Sequence, residues 1–107
     1  MTLEELRPDQ SELRGEVTIS PHKQKGWVLE LKASMKAGGR LLFQYTADGA
    51  LTFNIHSHHG KEVTHHVHID AASGDGEFTA PEDFDFYPMW ENSSDRPVHL
   101  TYRLSRA

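Results

Sequence analysis

The chain contains no cysteine, which excludes a disulfide framework, a thiolate metal site and a cysteine nucleophile. It leaves histidine, methionine and the carboxylates as the available metal ligands. No stretch approaches the roughly 20 apolar residues of a membrane helix, and the opening Met1-Thr2-Leu3-Glu4-Glu5-Leu6 is acidic and lacks a signal-peptide core. The chain reads as soluble, and a leader removed ahead of Met1 would leave the same sequence. Lysine and arginine form no cluster, and the formal charge is −5. Nucleic-acid affinity rests on phosphates neutralised by basic side chains, so nucleic acid is not an expected partner.

At 107 residues with 36% apolar content, the chain can fill one core and not two. Residues 1–14, interrupted by Pro8 and dominated by charge, read as a flexible arm, irregular or with one helical turn. Residues 15–107 read as a single domain. From Gly15 onward, short β-rich runs alternate with turn residues: 16–20, 27–32, 40–46, 51–57, 62–69, 76–79, 84–91 and 97–104. The separators include Asp48-Gly49, His59-Gly60 and Ser73-Gly74-Asp75-Gly76. About eight short strands at this spacing predict an all-β antiparallel sandwich or jelly roll.

Six of the thirteen residues from His56 to His68 are histidine. Alternation sorts them. Along Leu51–His58 the odd positions are mostly apolar, so Thr52, Asn54, His56 and His58 share the polar face. Along Glu62–Asp70 the same rule puts Glu62, Thr64, His66, His68 and Asp70 on the polar row and His65 on the apolar side. His59 falls in the turn. Opposed residues of a hairpin share a face, so Ile55 should oppose an odd-numbered residue, which a two-residue His59-Gly60 turn would violate. Loops of three or five residues would satisfy the rule. Either brings His56, His58 and His66 onto one patch, with Glu62 or His68 beside it.

A strand-borne His-x-His pair spaces two imidazoles by roughly 6–7 Å at Cα, close enough to converge on one cation at about 2.0–2.1 Å. The expected metal ligands are His56, His58, His66, His68 and Glu62. A nitrogen-rich, sulfur-free set suits Cu(II), Zn(II) or Ni(II), with copper first in intrinsic affinity. The competing account is a solvated β face whose histidines bind no metal, and His22 and His99 read as surface residues.

The stretch from Gly76-Glu77-Phe78-Thr79-Ala80-Pro81-Glu82 through Phe84-Asp85-Phe86-Tyr87-Pro88-Met89-Trp90-Glu91-Asn92, followed by Pro97–Leu104, resembles the end of the Golgi-dynamics (GOLD) domain family. Asn54-Ile55-His56-Ser57-His58 is similar to an N-I-H-x-H strand of small bacterial exported relatives. The resemblance covers about residues 15–105. It implies a GOLD-like β-sandwich, a periplasmic or otherwise exported setting, and a binding module in place of an enzyme. His56, His58, Trp90 and Asn92 are the positions it matches one by one. Pro88 inside the aromatic strand requires an edge or a bulge, and Asn92 reads as a turn cap.

Three functions follow as expectations. The first is transition-metal handling, with copper foremost, by the histidine-rich hairpin. The second is a metal-free interaction module that binds another envelope protein through the same polar face. The third is a cupin-like metalloenzyme, since His56-x-His58-x-x-x-Glu62 mimics a cupin metal motif. That mimicry lacks the surrounding glycines and the later histidine. Ser-His-Asp hydrolysis is disfavoured because no nucleophile-elbow glycine pattern surrounds any serine.

Overall fold

The computed structural model describes residues 4–107. Among these there are seven strands and no helix: β1 (Glu4–Leu6), β2 (Glu12–Ile19), β3 (Val28–Met35), β4 (Arg40–His59), β5 (Glu62–Thr79), β6 (Phe84–Glu91) and β7 (Val98–Arg106). The all-β expectation holds. Residues 1–3 of the anticipated arm lie outside the described residues, but Glu4–Leu6 is a strand and not a helical turn. It pairs in parallel with β3, and Leu6 is fully buried. β2 likewise begins at Glu12, ahead of the anticipated domain start.

The strands run in the order β1-β3-β6-β4-β7-β2, with β5 paired to the other edge of β4. The long β4–β5 hairpin passes through both layers. Residues 41–47 of β4 pair with β7, and residues 52–56 pair with β6. The first layer is thus β2, β7, the start of β4 and the end of β5. The second is β1, β3, β6, the end of β4 and the start of β5. Rings meet between the layers: Trp90 of β6 lies 5.3 Å from Tyr102 of β7, and Phe53 near the end of β4 lies 5.0 Å from Phe43 near its start. Face-to-face packing of two apolar faces produces this arrangement.

Two anticipated turns are strand instead. At Asp48-Gly49 the register of β4 shifts between Thr46 and Leu51, so the chain bulges and crosses from one layer to the other without stopping. Asp48 Oδ1 accepts the His99 backbone N–H at 2.8 Å and holds that crossing. Ser73–Gly76 also stays in the ladder, with Tyr45 opposite Gly74 and Phe43 opposite Gly76. A Cβ at Gly74 would sit 2.8 Å from Tyr45 Cε1, and one at Gly76 would sit 2.7 Å from Phe43 Cζ. These glycines admit the rings of β4 across the β5 backbone.

Pro88 lies in β6 between β3 and β4, so it occupies neither the edge nor the bulge expected of it, and it has no N–H to donate. The β3–β6 ladder accordingly skips Leu31 and Lys32, while Ile55 of β4 still faces Pro88. This is the interruption that a strand proline demands.

Candidate functional site

The hairpin resolves its parity conflict by a route the sequence does not display. The turn is two residues, Gly60-Lys61, with Gly60 at φ 63° as the first central position of a type II′ turn requires. This pairs His59 with Glu62, His58 with Val63 and His56 with His65. One extra residue, His66, then bulges out of β5, after which Ile55 faces Val67 and odd again opposes odd.

The bulge exchanges the anticipated faces of two histidines. His65 joins His56 on the outer face of the second layer, with ring centroids 5.9 Å apart. His66 turns inward, its Nε2 2.9 Å from Ser57 Oγ and its ring against Phe78 and Phe86. His68 stays on the outer face opposite Asn54 and pairs with Asp70 at 3.0 Å. Glu62 is exposed beside the turn, and His59 stacks on Phe84 while bonding Glu82 at 3.0 Å. The patch of His56, His58 and His66 with Glu62 or His68 is therefore not what forms. His99 bonds Glu16 at 2.7 Å, and His22 lies edge-on to Trp27.

What forms is centred on His56. Its side chain is only 4% exposed although it points outward, because neighbours on the same face enclose it. Tyr87 stacks on it at 5.6 Å, and His58 stands edge-on at 4.9 Å. Its Nδ1 lies 2.7 Å from Asn54 Oδ1, and its Nε2 lies 3.1 Å from Glu30 Oε2. A neutral imidazole has one N–H, yet here both nitrogens face oxygen. The pocket can be satisfied by a proton on the second nitrogen, by turning the Asn54 amide so that its NH2 donates to Nδ1, or by another cation at Nε2. Burial holds the His56 pKa below the ordinary imidazole value, and the Glu30 carboxylate opposes that shift without cancelling it.

Among the described residues, one group of three metal-capable side chains converges: Glu30, His56 and His58, with donor atoms all within 4.8 Å of one another. Glu30 comes from β3 and was not among the expected ligands. Its neighbour across the ladder is Met89, which in turn faces Asn54, so the order β3-β6-β4 carries Glu30 to the histidines. Alternation alone could have put Glu30 on a polar row, but only the strand order says which row. The His56-x-His58-x-x-x-Glu62 set of the cupin-like reading does not assemble, since its glutamate is replaced by Glu30 and the donors face outward from the sandwich.

The inward His66 makes one titration testable. Burial against the phenylalanines, helped by the nearby His59, depresses its pKa. The folded state therefore favours neutral His66 and binds fewer protons than the unfolded chain below about pH 6.5. Its contribution is intact above that value and is lost as pH falls toward the lower folded pKa. The melting temperature should drop less between pH 7.5 and 5.5 in His66→Gln than in the parent. Parallel pH profiles would contradict this assignment.

The sequence matches no protein-family model and no curated protein. Among solved structures, the chain is similar to Aeromonas hydrophila PliG, a periplasmic lysozyme inhibitor of g-type lysozyme, at 10% identity and TM-score 0.75 over 99% of this chain and 96% of that one. It is also similar to Salmonella Typhimurium PliG, with the same description, at 9% identity and TM-score 0.65 over 99% and 100% of the two chains. A third similarity is to the Yersinia pseudotuberculosis-derived mitogen, at 13% identity and TM-score 0.64 over 88% and 84%. At these identities the likeness shows the fold: a small all-β sandwich spanning essentially the whole length of both inhibitors.

Proposed function

We propose that this chain is a non-catalytic protein-binding module acting outside the cytoplasm, and that it docks its partner on the outer face of the second layer. The observation that carries this reading is the composition and placement of that face. Tyr87, Met89, His58 and His65 lie together on three adjacent strands, with Val63 beside His58 at 50% exposure. Tyrosine and methionine are over-represented in protein interfaces, and a face held by paired strands presents them at little entropic cost.

The two periplasmic inhibitors that share the fold support both the setting and the mode of action, and the GOLD resemblance points likewise to a binding module. A g-type lysozyme is the partner to test first. The net charge of −5 favours a basic partner, because opposite charge accelerates encounter.

Biolayer interferometry against a g-type lysozyme should give a 1:1 complex with Kd of about 1 µM or tighter, equivalent to roughly 8 kcal/mol. The double variant His58→Ala/Tyr87→Ala should weaken it at least tenfold, as expected for central anchors (about 1.4 kcal/mol or more). Absence of a complex at tens of micromolar would overturn the lysozyme partner. A complex indifferent to the double variant would overturn the face.

A further inference from the structure

Beyond the docking role, and independent of it, we propose that Glu30, His56 and His58 form a binding site for one divalent transition-metal ion, with Cu(II) preferred over Zn(II). Three donors from two strands separated by β6 meet there, a carboxylate oxygen and two imidazole nitrogens within 4.8 Å of one another. Bonds of about 2.0–2.1 Å at angles between square and tetrahedral set neighbouring donors roughly 2.9–3.3 Å apart. Glu30 Oε2 and His56 Nε2 are already 3.1 Å apart. His58 is exposed, so its ring can turn the remaining distance without disturbing the core.

A second observation points to the same ligand. Metal-binding histidines characteristically present one nitrogen to the ion and tie the other to an oxygen acceptor, which fixes the tautomer and aims the lone pair. His56 is held in that way: Nδ1 against Asn54 Oδ1 at 2.7 Å, and Nε2 directed at the Glu30 carboxylate. The stacked Tyr87 ring fixes the imidazole plane. A cation between Nε2 and Oε2 converts a contact between two electron-pair donors into two coordinate bonds. Among the described residues, the ion-pair partner of Glu30 is His56. Lys32 on the same strand pairs instead with Asp85, at 3.6 Å.

Two nitrogens and one oxygen match the borderline late first-row ions, among which the affinity order peaks at Cu(II). The protein supplies three ligands, leaving further positions to water or to a donor from a docked molecule. Of the ligands expected from the sequence, His56 and His58 belong to the site, while His66, His68 and Glu62 lie outside it. His66 faces the core and His68 is engaged with Asp70.

Calorimetric titration of tag-free full-length protein with CuSO4 and, separately, ZnSO4 tests this. One equivalent should bind, Cu(II) more tightly, and the electron paramagnetic resonance spectrum of the copper form should carry hyperfine splitting from two nitrogens. His58→Ala and Glu30→Gln each alter an outer-face side chain and should each weaken Cu(II) at least tenfold, the lower end of what loss of a mere supporting residue costs at metal sites. The double variant His66→Gln/His68→Gln should leave the affinity unchanged. Circular dichroism confirms that each variant is folded. Several weak equivalents, affinity indifferent to Glu30→Gln and His58→Ala, or loss of binding in the His66/His68 variant would each overturn the site.

Discussion

Replacing Trp90 with alanine should remove about 3–5 kcal/mol of stability, the range for deleting a fully buried aromatic ring. Trp90 has no exposed surface and joins the layers through Phe53 at 4.8 Å, Tyr102 at 5.3 Å and Tyr45 at 5.9 Å. Since a domain of this size is stabilised by roughly 5–15 kcal/mol in total, the variant should melt about 15–30 °C lower or fail to fold. Trp90→Phe should be much milder than its lost volume implies. The indole Nε1 is buried with no acceptor among the described residues, and an unpaired buried donor costs about 1–3 kcal/mol, which phenylalanine removes. Urea denaturation of both variants checks this. Equal losses would contradict the unpaired-donor argument.

Asn92→Ala should cost about 2–4 kcal/mol through hydrogen bonds instead of volume. The buried amide donates from Nδ2 to the carbonyls of Ile19, Ser20 and Arg96, and Oδ1 accepts from the Ser94 N–H and hydroxyl. One side chain thereby fastens the end of β2 to the turn between β6 and β7. Alanine strands those carbonyls in a site too tight to reorganise. Asn92→Asp should do no better near neutral pH, because a carboxylate would face three carbonyl oxygens. Differential scanning calorimetry that places either variant within about 1 °C of the parent would refute this role.

The parts of the molecule legible in the sequence were those governed by local alternation. Strand phase put His56 and His58 on an outward face and Ser57 on the other, and both assignments match the structure. The sequence also marked Asn92 as a turn cap, which its bonds to Ser94 match, whereas Pro88, expected at an edge or a bulge, lies in the central strand β6. The misreadings share a cause, which is that they depend on residues distant in the chain. Gly74 and Gly76 look like turn residues until Tyr45 and Phe43 are known to lie across them. The phase of His65 and His66 depends on a bulge that compensates a two-residue turn, so one inserted residue reverses every assignment beyond it. Glu30 is 26 positions from His56, and only the order β3-β6-β4 makes them neighbours.

The same geometry connects the two roles assigned to the outer face. His56 and Asn54 are buried beneath Tyr87, His58 and His65, so the face has a fixed interior and a movable rim. A partner that covers Tyr87 and His58 would also cover the Glu30–His56 pair. Metal binding and docking can therefore be examined separately through Glu30→Gln, which removes a metal donor, and Val63→Ala, which trims an exposed side chain of the docking face outside the ligand set.

Hydrogen–deuterium exchange of the protein with and without a saturating g-type lysozyme tests the central claim most directly, because it locates the partner on the fold. The account predicts added protection in residues 28–35, 52–65 and 84–91, the strands that build the outer face of the second layer, and unchanged exchange in β2 and β7. Protection confined to β2 and β7, or none at concentrations of tens of micromolar, would contradict it.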